Sequence, residues 1–293
     1  MNTSTIVIQL AINIVAAGGA YALVAAGYTI VHSTLKFINF QHGYMVALGG
    51  YVTYALSVNA RLNFILSAVI AILVVGASGI VIERVAYRPL RRASRMAPLL
   101  VSLGLTYILQ SIILFIWGPA YQSFDVPTLP VMIGGAVITT NEILMVVLSL
   151  VALLALDLFL RKSKLGIAMR ALSDNLDAAA IMGIDTDRLI SGIFVLASGL
   201  AALAGVLIGL EFYIQPTMGF PIIIRTLAAV TLGGIGNIQG AIVGSYVIAL
   251  VENLGVWFFS PAYRDAYPYM ILILALVLRA RGLFGRAPRD RAA

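Results

Sequence analysis

The sequence predicts an all-α fold: a polytopic transmembrane helical bundle with broken or re-entrant segments, about seven to nine spans, forming one domain over residues 1–293. Three observations predict it. Hydrophobic residues make up 61% of the 293 and charged ones only 11%, against about 45–50% and about 25% in soluble domains. Folded in water, such a chain would expose apolar patches far above the few hundred Å², roughly, that soluble monomers carry. The apolar residues also come in runs of about 20, the length that crosses a hydrocarbon core. Finally, the basic residues are gathered into three short segments, the pattern that orients membrane helices.

Taken in order, the apolar runs read as spans at 6–31, 38–58, 62–83, 98–117, 142–160, 189–210, 221–235, 239–259 and 267–280. Residues 1–35 hold no Lys or Arg and the first run is long, so it reads as a retained helix and not a cleavable leader. Of 19 Lys and Arg, one loop holds Arg84, Arg88, Arg91, Arg92 and Arg95, and a second holds Arg161, Lys162, Lys164, Arg170 and Arg188. The tail adds Arg279, Arg281, Arg286, Arg289 and Arg291. Short basic loops stay in the cytoplasm, which predicts the N-terminus outside and the C-terminus inside. An odd number of crossings follows: nine, or seven if 221–235 and 239–259 form a re-entrant hairpin broken at Gly233-Gly234-Ile235-Gly236-Asn237.

Within the loop 161–188, Ser173-Asp174-Asn175 offers capping oxygens and Asp177 a first-turn negative charge. Leu176, Ala179, Ala180 and Met182 give an apolar side, and Gly183 can end the helix. A short amphipathic helix across the inner membrane face is expected, either as a connector or as a docking element.

Several functions are excluded or weakened. The chain has no Gly-x-x-x-x-Gly-Lys-[Ser/Thr] loop to cradle phosphate and no cysteine for thiolate chemistry. His32 and His42 are its only histidines and lie in no metal-site spacing. Clustered basic residues on one side account for the pI of about 9.8 without nucleic acid. The series Ala197, Ala201, Gly205, Gly209 and Gly236, Gly240, Gly244 read as close helix packing.

Ionisable and polar groups at membrane depth are the functional candidates. Arg225 lies inside an apolar stretch, with Glu211 or Glu252 as its expected counter-ion; Asp157, Glu83 and Glu142 read as interfacial. Asn39, Gln41 and His42 gather beside Gly43 at the start of the second span. Asn237, Gln239 and Gly240, with Gly234 and Gly236, echo that pattern near the eighth. Two related broken segments flanking a substrate path are a common transporter plan.

The chain resembles the permease subunits of branched-chain amino acid (LivH-type) ABC transporters along nearly its whole length. The residues that carry the likeness are 38–43 (Ile-Asn-Phe-Gln-His-Gly) with 48–52, then 166–171 (Gly-Ile-Ala-Met-Arg-Ala) through Asp174-Asn175 to Gly183-Ile184. Further matches are 232–241 (Leu-Gly-Gly-Ile-Gly-Asn-Ile-Gln-Gly-Ala) and 279–285 (Arg-Ala-Arg-Gly-Leu-Phe-Gly). The resemblance implies an amino-acid importer of the bacterial inner membrane, working by alternating access and not as an enzyme. It implies no cofactor of this chain's own, ATP being used by partner ATP-binding subunits. A second permease subunit and an extracytoplasmic substrate-binding protein complete the implied complex. Arg170, Asp174, Asn175, Asp177, Ala180, Gly183 and Ile184 would couple to the ATPases. Two departures stand out: Gln41 where the family usually has a small residue, and Arg225 where it often has lysine. The rival reading is a self-sufficient secondary transporter or channel for a small polar solute such as urea or an amide.

Overall fold

The computed structural model describes residues 3–91, 93–94, 96–133, 135–279 and 282–284. Arg92, Arg95, Arg281, Gly285, Arg286, Arg289 and Arg291, all used in the sequence reading, lie outside them. Chain order is α1 (Thr3–Leu35), α2 (His42–Tyr54), α3 (Phe64–Ile82), α4 (Met96–Trp117), strands β1 (Pro130–Ile133) and β2 (Ala136–Thr139), and α5 (Thr140–Lys162). There follow α6 (Lys164–Asp174), α7 (Leu176–Ile181), α8 (Thr186–Glu211), α9 (Gly219–Gly233), α10 (Ile238–Phe258) and α11 (Ala266–Arg279). Wider π-type turns extend α2 over Ala55–Asn59 and α3 over Glu83–Tyr87.

Among the described residues six helices, α1, α3, α4, α5, α8 and α10, are long and apolar enough to cross a membrane. The most enclosed is α8, with 78% of its apolar window buried; α1, α2 and α3 pack directly on it. Glycine makes these contacts close. A Cβ on Gly205 would stand 1.9 Å from the Val46 carbonyl oxygen, and one on Gly244 2.1 Å from that of Ala229, so these positions are packing seams, whereas Gly236, with nothing within 4 Å, lies in the turn before α10 and not in the second seam.

Helix ends follow the expected chemistry. Thr139 and Glu142 form a reciprocal capping box on α5, and Asn63, Ser163, Asn175, Asp185 and Asn237 each accept a backbone N–H at the next helix start. The long helices run between two ends of the bundle, with α6 and α7 at one of them. At the hairpin end, Gln9 Oε1 accepts the Val137 N–H at 3.0 Å, and Gln122 exchanges backbone bonds with Ile214. At the basic end, Arg88 and Arg91 meet Asp187.

The structure corrects several expectations. The fold is not purely helical: β1 and β2 form an antiparallel hairpin pairing Pro130 with Thr139 and Ile133 with Ala136. A separate helix, α6, precedes α7, its turn closed because Gly166 lies against the backbone of Phe159 and Leu160. The expected apolar side of α7 is not packed: Ala179 is buried, but Leu176, Ala180 and Met182 are exposed. Glu83 and Glu142, expected at interfaces, are buried at 0% and 7% exposure because each has polar partners inside the protein.

The pair α9 and α10 is unequal. By length α10 can span, whereas α9 rises only ~21 Å and α11 only ~20 Å at 1.5 Å per residue, against a core about 30 Å thick. The segment 212–218 descends from the end of α8, and α9 starts inside the bundle. There Tyr44 lies against Gly219, and a Cβ on Gly43 would meet the Gly219 carbonyl oxygen at 2.1 Å. The short helices leave a recess at the hairpin end.

Candidate functional site

The recess holds the strongest of the sequence candidates. Arg225, two turns into α9, is paired with Glu252 of α10 through Nε and Oε1 at 2.8 Å, and its terminal nitrogen donates to Asp265 Oδ1 at 2.6 Å. The Tyr21 hydroxyl of α1 donates to the other Glu252 oxygen at 2.7 Å, and the guanidinium lies 5.8 Å from the Tyr21 ring centroid. Glu252 is completely buried, whereas Asp265 is 67% exposed. A buried carboxylate is tolerated because both its oxygens are occupied. Glu252 is therefore the counter-ion and Glu211 is not: among the described residues Glu211 accepts only a long 3.4 Å contact from the Thr139 hydroxyl. Nor does Arg225 reach out to solvent, since its side chain is 12% exposed.

Arg264 stands 3.8 Å from Glu252, with its guanidinium 5.3 Å from the centre of the Phe212 ring. It borders two adjoining cavities of about 250 Å³ and 210 Å³, which also share Ala17, Met145 and Phe212. The first adds Tyr21, Arg225 and Asp265; the second adds Asn13, Glu142, Glu211 and Asn253. Together they form a cleft with Glu142 and Glu211 in one cavity, Arg225 and Asp265 in the other, and Arg264 at the junction beside Met145 and Phe212.

The Asn39 group lies deeper, between α2, α3 and α4. Asn39 Oδ1 accepts the buried Tyr87 hydroxyl at 2.9 Å, and His42 Nε2 is 3.2 Å from the Val24 carbonyl. Gln41 is buried and its Oε1 has no hydrogen-bond partner among the described residues. A polar row on α4, Ser102, Thr106 and Gln110 at four-residue spacing, runs alongside. Ser102 reaches the backbone at Ile38 and Phe40, and Gln110 accepts the Tyr44 hydroxyl at 2.9 Å. Gly43 brings this group to the start of α9, so it and Arg225 share one side of the bundle core.

The structure separates the second broken segment from these residues. Gly234 and Gly236 have φ of +111° and +88°, conformations that suit glycine in the α9–α10 turn at the basic end. Asn237 caps α10 and donates to the Phe284 carbonyl, while Leu283 and Phe284 bond back to Leu232 and Gly233. Gly240 lies against Gly233, and Gln239 is exposed. This turn is strapped down by the tail.

At the basic end Asp174, Asn175, Asp177, Ala180 and Gly183 are exposed around α7, with Ile184 partly covered and Arg170 reaching back to the Arg161 carbonyl. Next to α7's apolar residues Ile181 and Met182, 85% and 81% exposed, Gly183 turns the chain at φ +82°. Beside it lies a network that composition and spacing missed. Glu83 takes the Ser191 hydroxyl at 2.8 Å and the Arg91 guanidinium, and Arg91 and Arg88 both bind Asp187. The available signal was an acidic residue at the end of an apolar run followed by arginines five and eight positions later; the two other members, Asp187 and Ser191, come from α8.

Comparison with known proteins agrees with this picture. Residues 10–276 match the family model for the branched-chain amino acid transport system permease component. The high-affinity branched-chain amino acid permease LivH of Escherichia coli K12 is 36% identical, with 95% of this chain and 96% of that protein aligned. BraD of Pseudomonas aeruginosa is 34% identical over the same shares. In fold the chain is similar to PsaBC from Streptococcus pneumoniae, solved with a Fab, at a TM-score of 0.51 and 13% identity over 90% of each chain. The apolar helices and a match spanning almost the whole sequence together show that this is a multi-pass membrane protein belonging to the branched-chain amino acid transport permease family.

Proposed function

We propose that the chain is a transmembrane permease subunit of an ABC importer that moves branched-chain amino acids into the cytoplasm by alternating access. The observation that carries this reading is the family match over residues 10–276. ATP is hydrolysed by separate subunits docked at the basic end, and a substrate-binding protein delivers to the hairpin end. The N-terminus is outside and the C-terminus inside, as the short basic loops favour. A second permease subunit completes the pore in the bacterial inner membrane, and lipid surrounds it.

The charge distribution supports this polarity. The cleft with Arg225 opens on the end poor in basic residues, the side from which an importer receives substrate. Asn39, Gln41, His42 and Gly43 continue the path inward along α2, where an unpartnered amide oxygen is available to a passing polar group. Exposed Ile181 and Met182 form an apolar tip of the kind a protein partner covers. Nucleotide-driven closure of the ATPases would act on α7 and shift a bistable bundle.

The test is co-purification with tagged ATPase subunits and ATP-driven uptake in proteoliposomes. Asp177→Arg and Gly183→Trp are expected to weaken ATPase association about tenfold, the effect of ~1.4 kcal/mol, and to lower uptake in parallel. Unchanged association and uptake would remove the coupling role from α7. Ion-gradient accumulation by the purified chain alone would favour a self-sufficient transporter instead.

A further inference from the structure

The two-chambered cleft at the hairpin end has a feature that the transport reading alone does not require. Its second cavity is bordered by Glu142 and Glu211, whose Oε2 atoms lie 3.2 and 3.4 Å from one hydroxyl, that of Thr139. Neither carboxylate has an ion pair among the described residues, although Glu142 is only 7% exposed. The amides of Asn13 and Asn253 border the same cavity. Arg264 borders this cavity as well, at its junction with the first. Glu252 is saturated by Arg225 and Tyr21, so Arg264, 3.8 Å away and 37% exposed, keeps most of its charge for the cleft. Asp265 is held on Arg225 from an exposed position, which makes it a displaceable ligand. The adjoining first cavity is floored by Met145, Ile208, Phe212 and Ile222.

Two carboxylates without an ion pair and a loosely held guanidinium around one cavity, with an apolar cavity adjoining, are complementary to one ligand chemistry: an ammonium and a carboxylate on the same carbon, which also bears an aliphatic chain. We propose that this cleft is a head-group site for a zwitterionic α-amino acid with an aliphatic side chain, its ammonium at Glu142 and Glu211 and its carboxylate at Arg264. When the carboxylate moves onto Arg225 it displaces Asp265, and the amino acid is handed to the deeper segment at Gly43. The site rests on the importer reading and adds to it a discrimination between intact amino acids and molecules that lack either charged group. Bidentate guanidinium–carboxylate geometry makes Arg264 selective for carboxylate, and removal of one partner leaves the other unpaired in a partly buried place.

The complete transporter in nanodiscs, without its binding protein, can be labelled with a photoreactive diazirine analogue of leucine and the attachment sites read by peptide mass spectrometry. Protection is measured with leucine, isocaproate, which lacks the ammonium, and isoamylamine, which lacks the carboxylate. Labels are expected on the floor from Met145 to Ile222, with leucine protecting about tenfold better than either analogue, the effect of one lost charged hydrogen bond. Glu211→Gln should erase the advantage of leucine over isocaproate but keep it over isoamylamine, and Arg264→Gln should do the reverse. Glu142→Gln, which preserves the capping-box pattern, is a second probe of the two carboxylates. The proposal is overturned if the cleft is not labelled, if all three compounds protect equally, or if the variants lower labelling without the analogue-specific exchange. The same preparation, with binding protein and ATP added, separates the two readings. Uptake without head-group discrimination rejects the site alone, whereas wild-type complex that takes up no leucine rejects the importer reading.

Discussion

The two ends of the molecule carry the same device in different states. At the basic end a fully buried carboxylate, Glu83, accepts one hydroxyl and one guanidinium, and that guanidinium also holds an exposed aspartate, Asp187. At the hairpin end Glu252 accepts the Tyr21 hydroxyl and Arg225, and Arg225 also holds exposed Asp265. A second arginine stands beside each. The difference is where that arginine goes. Arg88 closes on Asp187 and locks α3 to α8, whereas Arg264 leans over Phe212 into the cleft. One set of charges is spent on holding helices together, and the other keeps a cation available to a ligand.

The comparison can be broken most severely at the shared element. Arg225→Leu and Arg91→Leu each strand a buried carboxylate and should each lower unfolding stability by about 3–5 kcal/mol, read as a large loss of thermal stability in nanodiscs. Repairing both pairs then separates them. Arg225→Leu with Glu252→Leu should recover stability but not uptake, while Arg91→Leu with Glu83→Leu should recover stability and keep substantial uptake. Equal uptake in the two repaired proteins would make both networks purely structural.

A smaller effect is expected from Gly43→Leu. Its side chain must enter the space of the Gly219 carbonyl, so strain of about 1–3 kcal/mol is expected, with uptake lost and topology unchanged as read by cysteine accessibility in engineered loops. Retained uptake would place the path elsewhere than the α2–α9 contact. The smallest effects distinguish the two aspartates. Asp187→Asn loosens two arginines and Asp265→Asn one, and both are exposed, so each should cost no more than about 1 kcal/mol, with Asp187→Asn the larger. Because Asp265 competes for Arg225, Asp265→Asn should leave or raise leucine uptake, and a strong loss would contradict its displaceable role.

Most of the helical framework could be read from the chain, because apolar runs of spanning length are governed by local composition. Helices stand at or near all nine predicted positions, and the shift from 221 to Gly219 in α9 is small. The hairpin 130–139 escaped because its short apolar strands carry no strong period and are set by contacts with Gln9 and α1. Arg225 was identifiable as a lone cation in an apolar stretch, but its choice of Glu252 over Glu211 depends on which helices adjoin. Glu83 was misjudged for a related reason: its position near a span end looked interfacial, yet Arg91 and Ser191 close over it. The cleft is a product of two helices being short, and only the three-dimensional placement of their ends reveals the recess.

The strap at the α9–α10 turn has a mechanical consequence. Residues 282–284 tie the end of α11 to Leu232, Gly233 and Asn237, and at the opposite end Arg225 holds Asp265 while the Tyr267 hydroxyl bonds the Gly255 carbonyl. Three helices riveted at both extremities form a truss, stiff against shear between its members. Tied in this way, the three helices would move as one rigid body, hinged at the loop 212–218 that leads into α9.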